Sequence, residues 1–262
     1  MTRQAWFVVT ATLGVLGCGE PAVSGRDPLE AEPQAILGGT NAAIGQFPYH
    51  VRILGRGAST CEGALVRPGW VLTTASCVSG FLPSELLLIA GEVRTDVTEP
   101  TQQSRAAQRW VPHPSFTVLG GAPVHDLAVI QTTTPFTVTS AVSPIALPSS
   151  APALGTSHTA TGWGHSGTGG PVSTQLQHAS MPVHSLANCA PNIARPPVGG
   201  AELCLGIVNQ ARGACVGDEG APLASNGTLY GLMSWDGTGA CQQFTVFTNV
   251  ASYVTWIVSY TG

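Results

Sequence analysis

An all-β fold is what the pattern of short apolar runs in this chain predicts. Between Pro48 and Val246 the sequence is a succession of such runs, "YHVRIL", "GALV", "WVLTTA", "LLLIAGEV", "LAVIQT", "YGLMSW" and "FTVFTNV", separated by Gly and Pro. That is the spacing of strands in a barrel or sandwich. The composition agrees: 32 Gly and 20 Pro, with only 9% charged residues, favour strands and turns over amphipathic helices. At 262 residues the chain can bury the core of one large β domain or two small ones.

The elements follow in order. Arg3 precedes an apolar run from Ala5 to Gly17, too short to span a bilayer and of the right length for a signal peptide. The run ends "VLGCG", which resembles the lipobox of bacterial lipoproteins, so residues 1–18 are expected to direct export and Cys18 to become an acylated N-terminus. Export with cleavage nearby and no lipid is the alternative. Residues 19–35, "GEPAVSGRDPLEAEPQA", hold three prolines, several acids and little aliphatic content, and read as a flexible linker or pro-segment. The folded domain is expected over 36–262. Its last segment, Val250 to Tyr260, reads as a helix capped by Asn249, with Val250, Tyr253, Val254 and Ile257 on one face.

Positive charge comes from ten Arg and no Lys against fourteen acids, a formal balance of −4. Such a chain offers no basic face, and no nucleic-acid partner is expected. With Cys18 set aside, six of the seven cysteines remain, an even number in a chain that leaves the cytosol. Three disulfides are the simplest reading, although six cysteines allow fifteen pairings. No Cys/His spacing suggests zinc, and neither a metal nor another cofactor is expected.

Seven motifs in order carry a resemblance. They are "ILGG" at Ile36, "CEGALVRPGWVLTTASC" from Cys61 to Cys77, "HDLAVI" at His125, "TGWG" at Thr161, "CVGDEGAP" at Cys215, "SWDG" at Ser234 and the terminal "YVTWI". Together they resemble the trypsin-like (chymotrypsin-fold) serine proteases from Ile36 to the C-terminus. The resemblance implies two six-stranded antiparallel Greek-key β-barrels with a C-terminal α-helix and the site in the cleft between the barrels. It selects disulfides Cys61 with Cys77, Cys189 with Cys204, and Cys215 with Cys241. It also implies oxyanion-hole donors at Gly217 and Glu219, and a pairing of Asp218 with an Ile36 amine freed by cleavage after Ala35. The specificity-pocket positions are Gly213, Ser234, Trp235, Asp236 and Thr245.

Two positions depart from the family's triad. Asp126 matches the orienting aspartate, but Ser76 stands where the general base belongs and Glu219 where the nucleophilic serine belongs. Acyl transfer by the family's route needs a group that takes a proton near neutral pH and returns it to the leaving amine. A serine hydroxyl does not, and a carboxylate is a poor nucleophile toward an amide. His125, adjacent to Asp126, is expected to face away from the cleft, because neighbours on an extended strand point to opposite faces. If the chain stays uncut before Ile36, Asp126, Asp218 and Glu219 are expected to cluster with only Ser76 as a local donor. A Ca²⁺ ion there would need about six oxygens.

From these departures the expectation is that the chain is not an enzyme. It reads as an exported, inactive homologue that binds a peptide or protein without cutting it and meets the membrane only through Cys18. Two rivals remain: a peptidase or hydrolase of unrecognised catalytic arrangement, with Asp126 and Glu219 as one candidate carboxylate pair, and a structural cell-envelope module.

Overall fold

The computed structural model describes residues 1–2, 36, 38–167, 169–206, 213–237, 241 and 244–262. The signal-peptide, Cys18, linker and Ala35 expectations lie outside the described residues.

A two-residue strand, β1 (Thr40–Asn41), precedes the first barrel. That barrel is built from β2 (His50–Gly55), β3 (Ala58–Arg67), β4 (Trp70–Thr73), β5 (Leu86–Ala90), β6 (Gln103–Pro112) and a later strand. A one-turn helix, α1 (Ala75–Val78), follows β4, and a hairpin of β7 (Thr117–Leu119) and β8 (Ala122–Val124) follows β6. Strand β9 (Ala128–Thr132) then closes the barrel in the order β2-β3-β4-β9-β6-β5. The apolar runs fill it: Val51, Ile53, Leu65, Val71, Leu88 and Ile130 are fully buried together.

The second barrel comprises β10 (Ser157–Gly162), β11 (Gln177–His184), β12 (Glu202–Leu205), β13 (Pro222–Ser225), β14 (Thr228–Asp236) and β15 (Thr245–Asn249). A short helix, α2 (Leu186–Cys189), lies between β11 and β12. The strands run β11-β10-β13-β14-β15-β12, the β11–β12 pairing closes the ring, and β1 adds to β11. All pairings within both barrels are antiparallel. The two-barrel architecture is therefore as the resemblance implied.

The chain ends in α3 (Val254–Thr261), preceded by a 3-10 turn over Val250–Tyr253. The expected helix thus starts as a tighter turn, and Asn249 does not cap it. Its side-chain amide donates to the Gly200 carbonyl at 2.9 Å and to Ser252 Oγ at 3.1 Å. Val250, Tyr253 and Ile257 nevertheless bury the expected face, packed with Leu72, Val129 and Leu232.

Cys61 is bonded to Cys77, Cys189 to Cys204 and Cys215 to Cys241. Three such bridges fit a protein exported from the reducing cytosol.

Candidate functional site

Asp126 lies between β8 and β9, 1% exposed. Ser76, on α1, reaches it twice: its N–H donates to Oδ1 at 2.8 Å and its hydroxyl to Oδ2 at 2.8 Å. Ser234 on β14 adds a hydroxyl bond to Oδ2 at 2.7 Å, and Thr248 on β15 donates to the Asp126 carbonyl at 2.7 Å. One aspartate thereby joins groups from both barrels. Burial pushes its carboxyl up from the usual range, opposed by the bonds from Ser234 and Ser76. Ser76 is therefore not its only donor.

Glu219 sits in the tight turn after Cys215. Gly217 there has φ +94° and Gly220 φ +84°, backbone that glycine adopts without strain. Gly220 also lies so close to the Glu62 carbonyl that a Cβ would overlap it. The Gly217 N–H, an oxyanion-hole position by resemblance, donates to Glu219 Oε2 at 2.9 Å. Burial first, then nearby Asp236, push the Glu219 carboxyl up, while backbone N–H groups and His165 oppose this.

Asp218 is completely buried and turned toward different partners, accepting from Gly164 N–H at 2.7 Å and Cys215 N–H at 2.8 Å. The expectation that Ser76 would be the only local donor is thus corrected: each carboxyl has its own donors, while Glu219 still acts electrostatically on Asp218. No cluster of His, Cys, Asp and Glu among the described residues is arranged to hold a metal. Ile36, fully buried, packs in the second barrel with Met181, Leu205 and Phe247.

The remaining pocket positions are spoken for locally. Gly213 is buried, and Thr245 donates to the Ala214 carbonyl at 3.2 Å. Asp236 accepts from Cys241 N–H at 3.0 Å. Trp235 is 8% exposed, with its indole N–H on Glu202 at 3.2 Å and the Arg195 guanidinium 4.7 Å from its ring centroid. Glu202 and Arg195 form a buried pair at 2.7 Å, and Arg195 also donates to the Pro123 carbonyl at 2.6 Å. This cluster fixes the β7–β8 hairpin against the second barrel.

His125 does not lie on an extended strand, as the sequence had suggested: its φ is +50°. Its ring meets the Tyr253 hydroxyl at 2.9 Å and stacks on His113. Three further groups were not singled out by sequence. Glu62 and His50 form a buried pair at 3.0 Å, and His165 lies against Gly217, whose Cβ would stand 3.5 Å from His165 Cδ2. Glu62 carried a signal, being the one charged residue in the apolar run from Ala58 to Val66.

A sequence model of the family described as Trypsin matches residues 36–257. The chain belongs to the trypsin family. It is 33% identical to a protein named Trypsin from Sus scrofa, over 85% of this chain and 94% of that protein. It is likewise 33% identical to Cationic trypsin-3 of Rattus norvegicus (88% and 91%) and 31% identical to Brachyurin of Leptuca pugilator (87% and 99%).

These relatives correct the expectation that the chain is not an enzyme. Trypsins are serine endopeptidases, and the kinship spans the whole trypsin domain, so Ser76 and Glu219 do not establish an inactive protein. The physical reason is that a triad does not carry all of the catalysis. Sites stripped of triad residues still keep part of their rate enhancement through substrate binding and the oxyanion hole, although here the Gly217 N–H is engaged by Glu219.

Proposed function

We propose that this trypsin-family protein engages a peptide or protein segment in the cleft between its barrels, as an exported protein held to a bacterial cell envelope through lipid on Cys18. One observation carries the reading. The framework around the cleft is retained, with Asp126 bonded from both barrels and the Gly217 turn intact, while Ser76 and Glu219 each close onto a neighbouring polar group. A cleft of this kind keeps the means of holding a polypeptide, and chemistry in it needs a route other than a histidine–serine relay.

Kinship and one contact favour a second reading, in which the held segment is hydrolysed. His165 lies against Gly217 and acts electrostatically on Glu219, placing an imidazole and a carboxyl beside the same turn. Such a pair can move protons to and from a water.

Incubation of the exported protein with a random peptide library, read by mass spectrometry, tests both. Retention of a defined peptide subset supports binding; fragments lost in both His165→Ala and Glu219→Ala support hydrolysis. Neither retention nor fragments would defeat both. Loss of membrane partitioning on Cys18→Ser tests the anchor, and unchanged partitioning would remove it.

A further inference from the structure

Beneath the Glu219 turn lies a buried polar cluster that no triad position accounts for. Glu62 on β3 is 2% exposed and His50 on β2 is 3% exposed. The Glu62 N–H donates to the Glu219 carbonyl at 2.9 Å. Its Oε1 accepts from Trp163 N–H at 2.7 Å, at the end of β10. Its Oε2 lies 3.0 Å from His50 Nε2 without the alignment of a hydrogen bond. The other His50 nitrogen, Nδ1, meets Thr161 Oγ1 at 2.7 Å. A single residue of the first barrel thus meets the second barrel through its carboxyl, at Trp163, and the turn that presents Glu219 through its backbone N–H.

The Asp218 carboxyl comes to the same place. A Cβ on Gly162 would overlap Asp218 Oδ1 and stand 3.1 Å from Glu62 Oε2, so the two carboxyl groups crowd one glycine. Two buried carboxylates in such proximity do not both ionise readily. We propose that Glu62 positions the Cys215–Gly220 turn, and Glu219 with it, and that the neighbouring Glu62 and Asp218 carboxyl groups keep the turn in place only while one of them stays protonated.

The charges facing the cluster support this. From β2 come His50 and Arg52, and Arg52 is already held by Glu92 at 2.6 Å. Burial lowers the His50 pKa to about 3, opposed by Glu92, so near neutral pH the imidazole brings no positive charge. From the turn come Asp218 and Glu219. Burial first, and then Glu62, push Asp218 well above the carboxylate range, against bonds from Cys215 and Gly164. Glu62 is raised well above it by burial, with Glu219 adding and the Trp163 N–H and Arg52 opposing. The proton therefore resides on a carboxyl. Its loss in alkaline solution leaves two buried negative charges under the turn, and the turn loosens.

The test is hydrogen exchange of the Cys215–Gly220 amides against pH, corrected for intrinsic rates and referenced to β5 in the other barrel. It reads the turn directly and needs no ligand. In the native protein, protection of the turn should fall about tenfold or more relative to β5 in alkaline solution. Glu62→Gln can still accept from Trp163 but cannot lose a proton; it should keep neutral-pH protection and lack the alkaline fall. Glu62→Ala should reduce protection at every pH. An alkaline fall in Glu62→Gln equal to that of the native protein would overturn the proposal, as would native protection of the turn in Glu62→Ala. Should Glu62→Ala fail to fold, the comparison of Glu62→Gln with the native protein decides alone.

Discussion

The Ser76 hydroxyl donates to Asp126 Oδ2 at 2.8 Å, taking up a lone pair of a buried carboxylate. Ser234 shares that oxygen. Both hydroxyls offset the cost of keeping Asp126 in a low-dielectric setting.

Ser76→Ala should therefore destabilise the fold by about 1 to 3 kcal/mol near neutral pH, because a buried acceptor loses a donor. The loss should shrink on acidification, as Asp126 protonates and no longer needs it. Urea unfolding at two pH values measures this; an equal loss at both would place the effect outside Asp126.

No fluorophosphonate adduct should form at Ser76, whose hydroxyl is engaged by Asp126 and has no imidazole bonded to it among the described residues, or at position 219, which carries a carboxyl. Peptide mapping after labelling checks both positions. An adduct at Ser76 would show an activated hydroxyl where the geometry gives a structural one.

Stability should depend on pH from both sides. Glu62 and Asp218 are raised in the fold, so they favour it while protonated, and their contribution is lost as pH rises through the folded values. His50 is lowered to about 3, so its contribution is present above the ordinary histidine value of about 6.5 and is lost as pH falls from there toward 3. Thermal midpoints across the pH range should show both losses. Glu62→Gln should weaken the alkaline one, and an unchanged alkaline limb would argue against Glu62.

The barrels were legible in the sequence because strand-length apolar runs bounded by Gly and Pro leave few other solutions, and ordered motifs narrowed them to one family. Asp126, Ser76 and Glu219 were placed by those same motifs. Glu62 and His50 were not, since their contact depends on cross-strand register between β2 and β3, which spacing along the chain does not encode. His125 was misjudged in conformation because its left-handed backbone interrupts the alternation assumed for a strand. The 3-10 start of the terminal helix was missed because apolar spacing does not separate a 3-10 turn from an α-helical one.

Rebuilding the relay should be strongly non-additive. Ser76→His with Glu219→Ser restores base and nucleophile beside Asp126 and releases the Gly217 N–H from Glu219. Ester hydrolysis by the double variant, after cleavage before Ile36, should exceed either single variant by about 10³-fold or more. Equal rates in all three would mean that the cleft has diverged beyond those two side chains.

The central claim is that the cleft holds a polypeptide, and a bulky substitution beside Gly217 tests it most directly. Val216 is exposed and precedes Gly217, so Val216→Arg should set a bulky cation beside the Gly217 turn without disturbing the core. Affinities of the native and Val216→Arg proteins for peptides recovered from a random library would be measured by calorimetry. The expected result is saturable binding by the native protein, weakened about tenfold or more, roughly 1.4 kcal/mol, in the variant. Equal affinity in a correctly folded Val216→Arg protein, or no peptide retained by the native one, would contradict the claim.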